Sequence, residues 1–162
     1  MGTKVIDVIK KTKSALDQEL STLKESGLVT KIKYAYDPEK KEYTYTLFRA
    51  GDNSTIKLVS DLTVDYNLIF GGYYIEYSEV TDPNGTFDDM IKWFFPLIVE
   101  YLKRKYHETI YTKKDDTFIS KQLYFDNSEL GRRSLNGPVK LKNLPYRMFP
   151  WMYNRIEQRQ DG

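Results

Sequence analysis

Apolar residues recur every three or four positions over residues 3–26, and this spacing predicts an amphipathic helix. The apolar face would consist of Val5, Val8, Ile9, Leu16, Leu20 and Leu23. Thr3 is suited to cap the start of this helix, and Gly27 suits the left-handed residue that commonly follows a helix. We therefore expect the chain to begin with a helix that buries one side.

The spacing then changes to strict alternation, which predicts β-strands over residues 29–36, 42–50 and 55–60. The connections between them are short and rich in Pro, Gly, Asp and Asn, so consecutive strands should pair antiparallel. Residues 62–67 fit no clear pattern. Residues 68–80 read as one longer strand, bent or bulged at Gly71-Gly72.

A second helix is predicted from a cap at Thr86 to about Tyr106, with the acids of its first turn near the positive end of the helix dipole. Its middle is apolar nearly all round, which places it in the core. Pro96 removes one helical hydrogen bond, so a kink or break is expected near residues 92–95.

The last third of the chain predicts a hairpin over residues 108–112 and 117–125, followed by a less regular region. Lys140 and Lys142 alternate with apolar residues, as in an exposed edge strand. Residues 150–157 read as a short helix with Pro150 at its first position. From about residue 127 we expect a loosely structured basic and aromatic tail.

These elements predict an α+β fold in one domain spanning residues 1–162. An antiparallel sheet of about five to six strands should pack one face against the N-terminal helix and the central apolar helix. The other face, or the edge of the sheet, should be partly open.

The composition removes many catalytic mechanisms. The 162 residues include no cysteine and one histidine, His107. Disulfide scaffolds, thiol nucleophiles and cysteine-bound zinc are therefore excluded, and a Ser-His-Asp triad would need His107. We interpret His107 more simply as a residue at the negative end of the predicted helix. Asp61 and Asp65 could bind a hard cation but match no calcium-loop pattern. We expect a protein that is not an enzyme and has no cofactor or metal.

Charge is nearly balanced overall, at +2, but uneven along the chain. Residues 127–162 carry a net charge of +4, and the rest carries −2. This asymmetry could steer an acidic partner, although a solvated tail is the favoured explanation. The longest apolar run, residues 93–99, is too short to span a bilayer, and residues 1–13 lack a signal-peptide core. The compartment stays open: cytoplasmic, or extracytoplasmic if an export segment precedes this sequence.

Tyrosine is the informative residue type, with 14 copies. Seven lie in the first predicted strands: Tyr34, Tyr36, Tyr43, Tyr45, Tyr73, Tyr74 and Tyr77. Tyrosine combines a large contact area, few rotors and a hydroxyl, which suits a protein interface. High β-propensity with partial burial is the alternative explanation. The candidate partner-binding residues are Tyr43, Tyr45, Tyr74, Tyr77 and Arg133.

A single-stranded nucleic-acid platform is a second hypothesis, because bases stack on aromatic rings and Lys31, Lys33 and Lys57 lie in the same strands. No RNP-type motif is present, and glutamates occupy the same strands. Nucleic acid is therefore the less favoured partner.

The order of helix, antiparallel strands, helix, hairpin and aromatic tail resembles small immunity proteins of Gram-positive bacterial toxin–immunity systems, including those linked to type VII secretion. The resemblance rests on the strand pair KIKYAYDPEKKEYTYTLF, the helix FDDMIKWFFPLIVEYLKRKY and the hairpin ETIYTKKDDTFISKQLYF. The resemblance implies an antitoxin whose partner is a secreted toxin, and which acts by covering the working surface of that toxin. The same order also resembles secretion chaperones, and no diagnostic motif allows a binding residue to be carried over.

Overall fold

A computed structural model describes residues 2–82, 84–126 and 134–160 of the chain. The helices are α1 (Gly2–Glu25), α2 (Phe87–Leu102) and α3 (Leu144–Met148). The strands are β1 (Val29–Asp37), β2 (Glu42–Arg49), β3 (Thr55–Ser60), β4 (Asp65–Phe70), β5 (Tyr74–Glu79), β6 (Tyr106–Thr112), β7 (Phe118–Phe125), β8 (Ser134–Asn136) and β9 (Asn154–Arg159). The predicted α+β class is confirmed.

The strands form two antiparallel sheets. The first has the order β1-β2-β3-β4-β5, so each strand pairs with its neighbour in sequence. The second has the order β8-β7-β6-β9, in which the chain returns after β8 to add β9 beside β6. The sequence predicted the hairpin β6–β7 but not that it belongs to a separate sheet.

Both long helices cover the same face of the first sheet, here called the inner face. Leu16, Leu20 and Leu23 of α1 are buried in one core with α2 and the inner side chains of the sheet. This arrangement confirms the predicted packing. By contrast, Val5 and Val8 are half-exposed, so the first turns of α1 extend past the part of the helix that the core covers.

The outer face of the first sheet is open. None of its side chains on β2 to β5 is buried, whereas Leu47, Ile56 and Leu68 on the inner face are fully buried. Along each strand the two classes alternate, as the period of two requires. Within the described ranges, no helix has the length and apolar character needed to cross a bilayer.

The predicted long strand over residues 68–80 is wrong, because Gly71 and Gly72 form a tight turn between β4 and β5. Their φ angles are +61° and +72°, and the Tyr73 N–H donates to the Phe70 carbonyl at 3.1 Å. Two consecutive positive φ angles define the turn that best matches the twist of a hairpin, and glycine adopts them without a Cβ penalty.

Gly71→Ala should destabilise the protein by about 2 kcal/mol, and Gly72→Ala by about 1 kcal/mol, because both positions are left-handed. Only at Gly71 would the added Cβ also meet the Tyr101 hydroxyl, at 2.9 Å; at Gly72 it meets nothing within 4 Å. Urea denaturation of the two variants checks this order. Equal losses would show that the contact with Tyr101 relaxes at no cost.

Helix α2 starts where predicted and ends four residues early. Thr86 and Asp89 form a capping box at its start, and the helix runs continuously past Pro96. It ends at Leu102 because Arg104 is left-handed, with φ of +58°, and its guanidinium donates to the Ala50 carbonyl at 2.9 Å. The chain then enters β6 at Tyr106.

Two local predictions for the last third are wrong. Lys140 and Lys142 do not form an edge strand, since residues Leu141–Asn143 make a 3₁₀ turn. Residues 154–159 form β9 rather than the end of a helix, and only Pro150–Met152 are helical, as a second 3₁₀ turn. In both cases long-range pairing and packing override the local pattern.

Candidate functional site

Three tyrosines lie side by side at the edge of the first sheet, and we call Tyr34, Tyr36 and Tyr43 the tyrosine edge cluster. Pairing of β1 with β2 places Tyr36 opposite Tyr43 and Tyr34 opposite Tyr45. The ring centroids of Tyr36 and Tyr43 are 4.6 Å apart, and those of Tyr34 and Tyr43 are 6.2 Å apart. Tyr34 and Tyr36 are half-exposed, and they lie on β1, which is an edge strand of the sheet.

Tyr45 packs against this cluster on the buried side. It is buried, its ring lies 5.2 Å from that of Tyr34, and its hydroxyl donates to Asp17 of α1 at 2.9 Å. Burial raises the pKa of Tyr45 well above its ordinary value, and the neighbouring Asp17 raises it further. Lys13 pairs with Asp17 at 2.5 Å and lies 4.6 Å from the centre of the Tyr34 ring. Helix α1 thereby fixes the orientation of the tyrosines.

Tyr74 lies elsewhere, in a cleft of about 240 Å³ where the two sheets meet. It is buried, and its hydroxyl donates to Glu108 at 2.6 Å. Lys121 donates to the same carboxylate oxygen at 3.1 Å, and its ammonium lies 5.2 Å from the centre of the Tyr74 ring. Burial raises the pKa of Tyr74 far above its ordinary value, and the Glu108 charge adds to this effect.

Arg49 closes the other side of the cleft. Its side chain is 4% exposed, and it binds both carboxylate oxygens of Asp52, at 3.0 and 2.5 Å. It also donates to the Tyr101 carbonyl at 3.0 Å and to the Tyr106 hydroxyl at 2.8 Å. The hydrogen bond from Arg49 lowers the pKa of Asp52 to about 2. Every charge in the cleft has a partner in the protein, which is the arrangement of a structural joint.

The five candidate residues do not share one surface. Tyr43 and Tyr45 belong to the inner face near the edge, and Tyr74 lies in the inter-sheet cleft. Tyr77 is exposed on the outer face, and Arg133 lies outside the described residues. Tyr77 is three positions after Tyr74 on β5. Side chains alternate between the two faces of a strand, so an odd offset places these two on opposite faces. Tyr34 and Tyr36 are not among the candidates from the sequence, although the turn between β1 and β2 fixes the register that brings them to Tyr43.

The candidates for catalysis stay dispersed. His107 lies in β6 rather than at a helix end, stacked on Tyr124 at 5.1 Å, with its Nδ1 2.7 Å from the exposed carboxylate of Asp126. Asp61 caps a turn through bonds from the Thr63 and Val64 N–H groups, which lower its pKa although burial alone would raise it. In the part of the chain that the structure describes, no three His, Cys, Asp or Glu side chains lie close enough to hold a metal ion.

A second exposed surface was not predicted, and we call it the tail surface. It consists of Leu141, Leu144, Met148, Phe149 and Trp151, which are all exposed within eleven residues; Leu141 is 84% exposed, Trp151 71% and Met148 65%. Single exposed apolar residues are common, but five in so short a segment make it a candidate interaction site. The signal in the sequence is the density of large apolar residues between Pro138 and Tyr153.

The tail surface is fixed to the second sheet by its other side chains. The Arg147 guanidinium lies 3.4 Å from the centre of the Tyr111 ring, and its Nε donates to the Ser120 hydroxyl at 3.2 Å. The Lys113 ammonium lies 4.2 Å from the centre of the Tyr146 ring, and the ring centroids of Tyr153 and Tyr111 are 5.1 Å apart. The segment therefore turns its arginine and two tyrosines inward and its aliphatic and indole side chains outward.

Fold and surfaces together define a two-sheet α+β protein with two exposed aromatic regions. No protein-family model matches the chain, no curated protein matches its sequence and no solved structure matches its fold at a significant level. The function must therefore be argued from the geometry of this chain.

Proposed function

We propose that this protein is a non-enzymatic binding module that occludes a protein partner, in the manner of a toxin-neutralising immunity protein. The observation that supports the proposal is the tyrosine edge cluster: three contacting rings, two of them half-exposed, at the open edge of a sheet. Tyrosine is, with tryptophan and arginine, one of the residue types enriched among the anchors of such interfaces.

Pre-organisation favours this role. The Tyr43 ring contacts those of Tyr34 and Tyr36. Tyr45, which contacts Tyr34, donates a hydrogen bond to Asp17, and Asp17 pairs with Lys13. Side chains that are already ordered lose little conformational entropy on binding, so more of the contact energy appears as affinity. An interface centred on the cluster would bury about 1,600 Å² in total if it has the standard size of stable complexes.

The double substitution Tyr34→Ala/Tyr36→Ala should weaken partner binding at least about tenfold, because it removes two central aromatic anchors. The partner is first captured from the native host with the immobilised wild-type protein and identified by mass spectrometry. The dissociation constant of the purified pair is then measured by calorimetry. Both residues are half-exposed, so the variant should remain folded.

Tyr77→Ala provides the matched control. Tyr77 is equally exposed but lies on the outer face, away from the cluster, so its removal should change the dissociation constant by less than about twofold. If Tyr34→Ala/Tyr36→Ala binds like wild type while its circular dichroism is unchanged, the partner uses another surface and this proposal fails.

The nucleic-acid hypothesis stays a prediction that the geometry does not favour. Lys31, Lys33 and Lys57 project from the outer face, opposite the strand residues that carry Tyr34, Tyr36 and Tyr43. A stacking platform needs phosphate-binding cations beside its aromatic rings, and alternation places these three lysines on the opposite face. The cation that does lie beside the rings, Lys13, is paired with Asp17.

A further inference from the structure

The tail surface has inverted polarity for a segment that packs on a sheet. Arg147 and Tyr146 face the protein, where an apolar side chain would ordinarily lie, and the leucines, Met148 and Trp151 face solvent. Exposing these apolar side chains is unfavourable in water, because each loses the free energy of burial. The ring contact of Phe149 with Trp151, at 5.0 Å, shields only part of that area.

The segment that forms this surface carries charge of one sign only. No acidic residue occurs between residues 134 and 156, while Lys140 and Lys142 are exposed and make no ion pair within the described residues. Arg147 is used internally, and Arg155 is paired with Glu157 at 2.9 Å. The adjacent β6–β7 turn contains two lysines and two aspartates and adds no net charge. The free charge beside the apolar side chains therefore comes from lysine.

We infer that the tail surface docks onto an anionic lipid bilayer, with its apolar side chains inserted at the headgroup level and its two free lysines over lipid phosphates. This inference goes beyond the proposed function and does not depend on the tyrosine edge cluster.

The composition of the surface favours a bilayer over a protein as its occupant. Protein interfaces are depleted in lysine, and leucine is under-represented among their energetic anchors. Here the free cations are lysines and the most exposed apolar residue is Leu141. Tryptophan and lysine are both suited to the bilayer interface, where the indole spans the polar boundary and the lysine stem lies along apolar surface. A shallow insertion with adjacent basic residues is sufficient for reversible binding.

Vesicle sedimentation tests the inference with the full chain. Wild-type protein should bind vesicles of equal parts phosphatidylglycerol and phosphatidylcholine at least about tenfold more strongly than pure phosphatidylcholine vesicles. Leu141→Ala/Trp151→Ala should lose at least about tenfold on the anionic vesicles. The matched control, Ile75→Ala/Tyr77→Ala, removes two half-exposed apolar side chains from the outer face of the first sheet and should bind like wild type.

Charge reversal separates the electrostatic contribution. Lys140→Glu/Lys142→Glu should reduce binding to the anionic vesicles at least about tenfold, while Lys31→Glu/Lys33→Glu, on the outer face of the first sheet, should have less than about a twofold effect. Circular dichroism and thermal unfolding confirm that each variant is folded.

Tryptophan emission locates the contact. The chain has two tryptophans, so Trp93→Phe leaves Trp151 as the only indole. Its emission should shift to shorter wavelength when anionic vesicles are added. If wild-type protein fails to sediment with the anionic vesicles and the emission does not shift, the inference is overturned. If, in addition, Leu141→Ala/Trp151→Ala weakens binding to the captured protein partner, the tail surface is a protein interface.

Discussion

Replacing Arg49 by alanine should lower the free energy of unfolding by about 3 kcal/mol. The guanidinium makes four hydrogen bonds that join β2 to the following turn, to the end of α2 and to β6. Its loss leaves the Tyr106 hydroxyl and the Tyr101 carbonyl without that donor in a buried position. The Asp52 carboxylate is partly exposed and can be rehydrated, which keeps the loss below that of a fully buried ion pair.

Arg104→Ala is the control for Arg49→Ala. Arg104 reaches the same carboxylate, at 3.7 Å, but its side chain is more exposed and makes one hydrogen bond, to the Ala50 carbonyl. Its removal should cost less than about 1 kcal/mol. Urea unfolding followed by circular dichroism gives both values. Similar losses for the two arginines would contradict the view that Arg49 joins the sheets.

Phe94→Ala should have the largest effect of any single substitution discussed, a loss of about 3–5 kcal/mol. Phe94 is fully buried in the middle of α2, with its ring centroid 4.6 Å from that of Tyr66 and 6.2 Å from that of Phe87. Alanine would leave a cavity between the helix and the inner face of the first sheet. A loss of this size is a large fraction of the stability of an ordinary domain, so part of the purified variant should be unfolded at 37 °C.

Lys92→Ala tests whether the effect of Phe94→Ala comes from burial rather than from any change in α2. Lys92 is two residues earlier on the same helix and is exposed, so its replacement should alter the free energy of unfolding by less than about 0.5 kcal/mol. Thermal unfolding monitored by circular dichroism compares the two variants. A small loss for Phe94→Ala would mean that the core collapses around the missing ring.

The two exposed regions are held in place by different parts of the fold. The tyrosine edge cluster depends on α1 through Tyr45 and Asp17, whereas the tail surface depends on the second sheet through Arg147 and Tyr111. Arg49 lies between these sheets, so its loss should loosen their junction while leaving the contacts within each region intact. The binding measurements can therefore be interpreted separately for each region.

Sequence periodicity predicted the location of a helix or strand most reliably where the pattern depends on that element alone. The alternation in β1 to β3 and the cap at Thr86 depend on residues a few positions apart, and both were located correctly. Gly71-Gly72 was predicted to interrupt a strand, but two adjacent glycines are compatible with either a bulge within one strand or a turn between two. Only the pairing of β4 with β5, residue by residue from Phe70 and Tyr74, distinguishes them.

For the candidate site, the sequence identified the residue type but not the surface. Tyr34, Tyr36 and Tyr43 could have been grouped from hairpin register alone, because the turn after Asp37 sets which residues face one another. Their exposure could not be inferred, since it depends on where α1 lies over the sheet. Tyr74 had the same local pattern and is buried against Glu108.

By itself, the sequence determined the α+β class, the positions of most helices and strands, and which side chains share a face, because these follow from the 3.6-residue and two-residue periods of the backbone. Tertiary structure alone decided which face is covered, how the last strands form a second sheet, and that the segment around Trp151 points its apolar side chains outward. Those outcomes depend on contacts between residues far apart in the chain, and no local period encodes them.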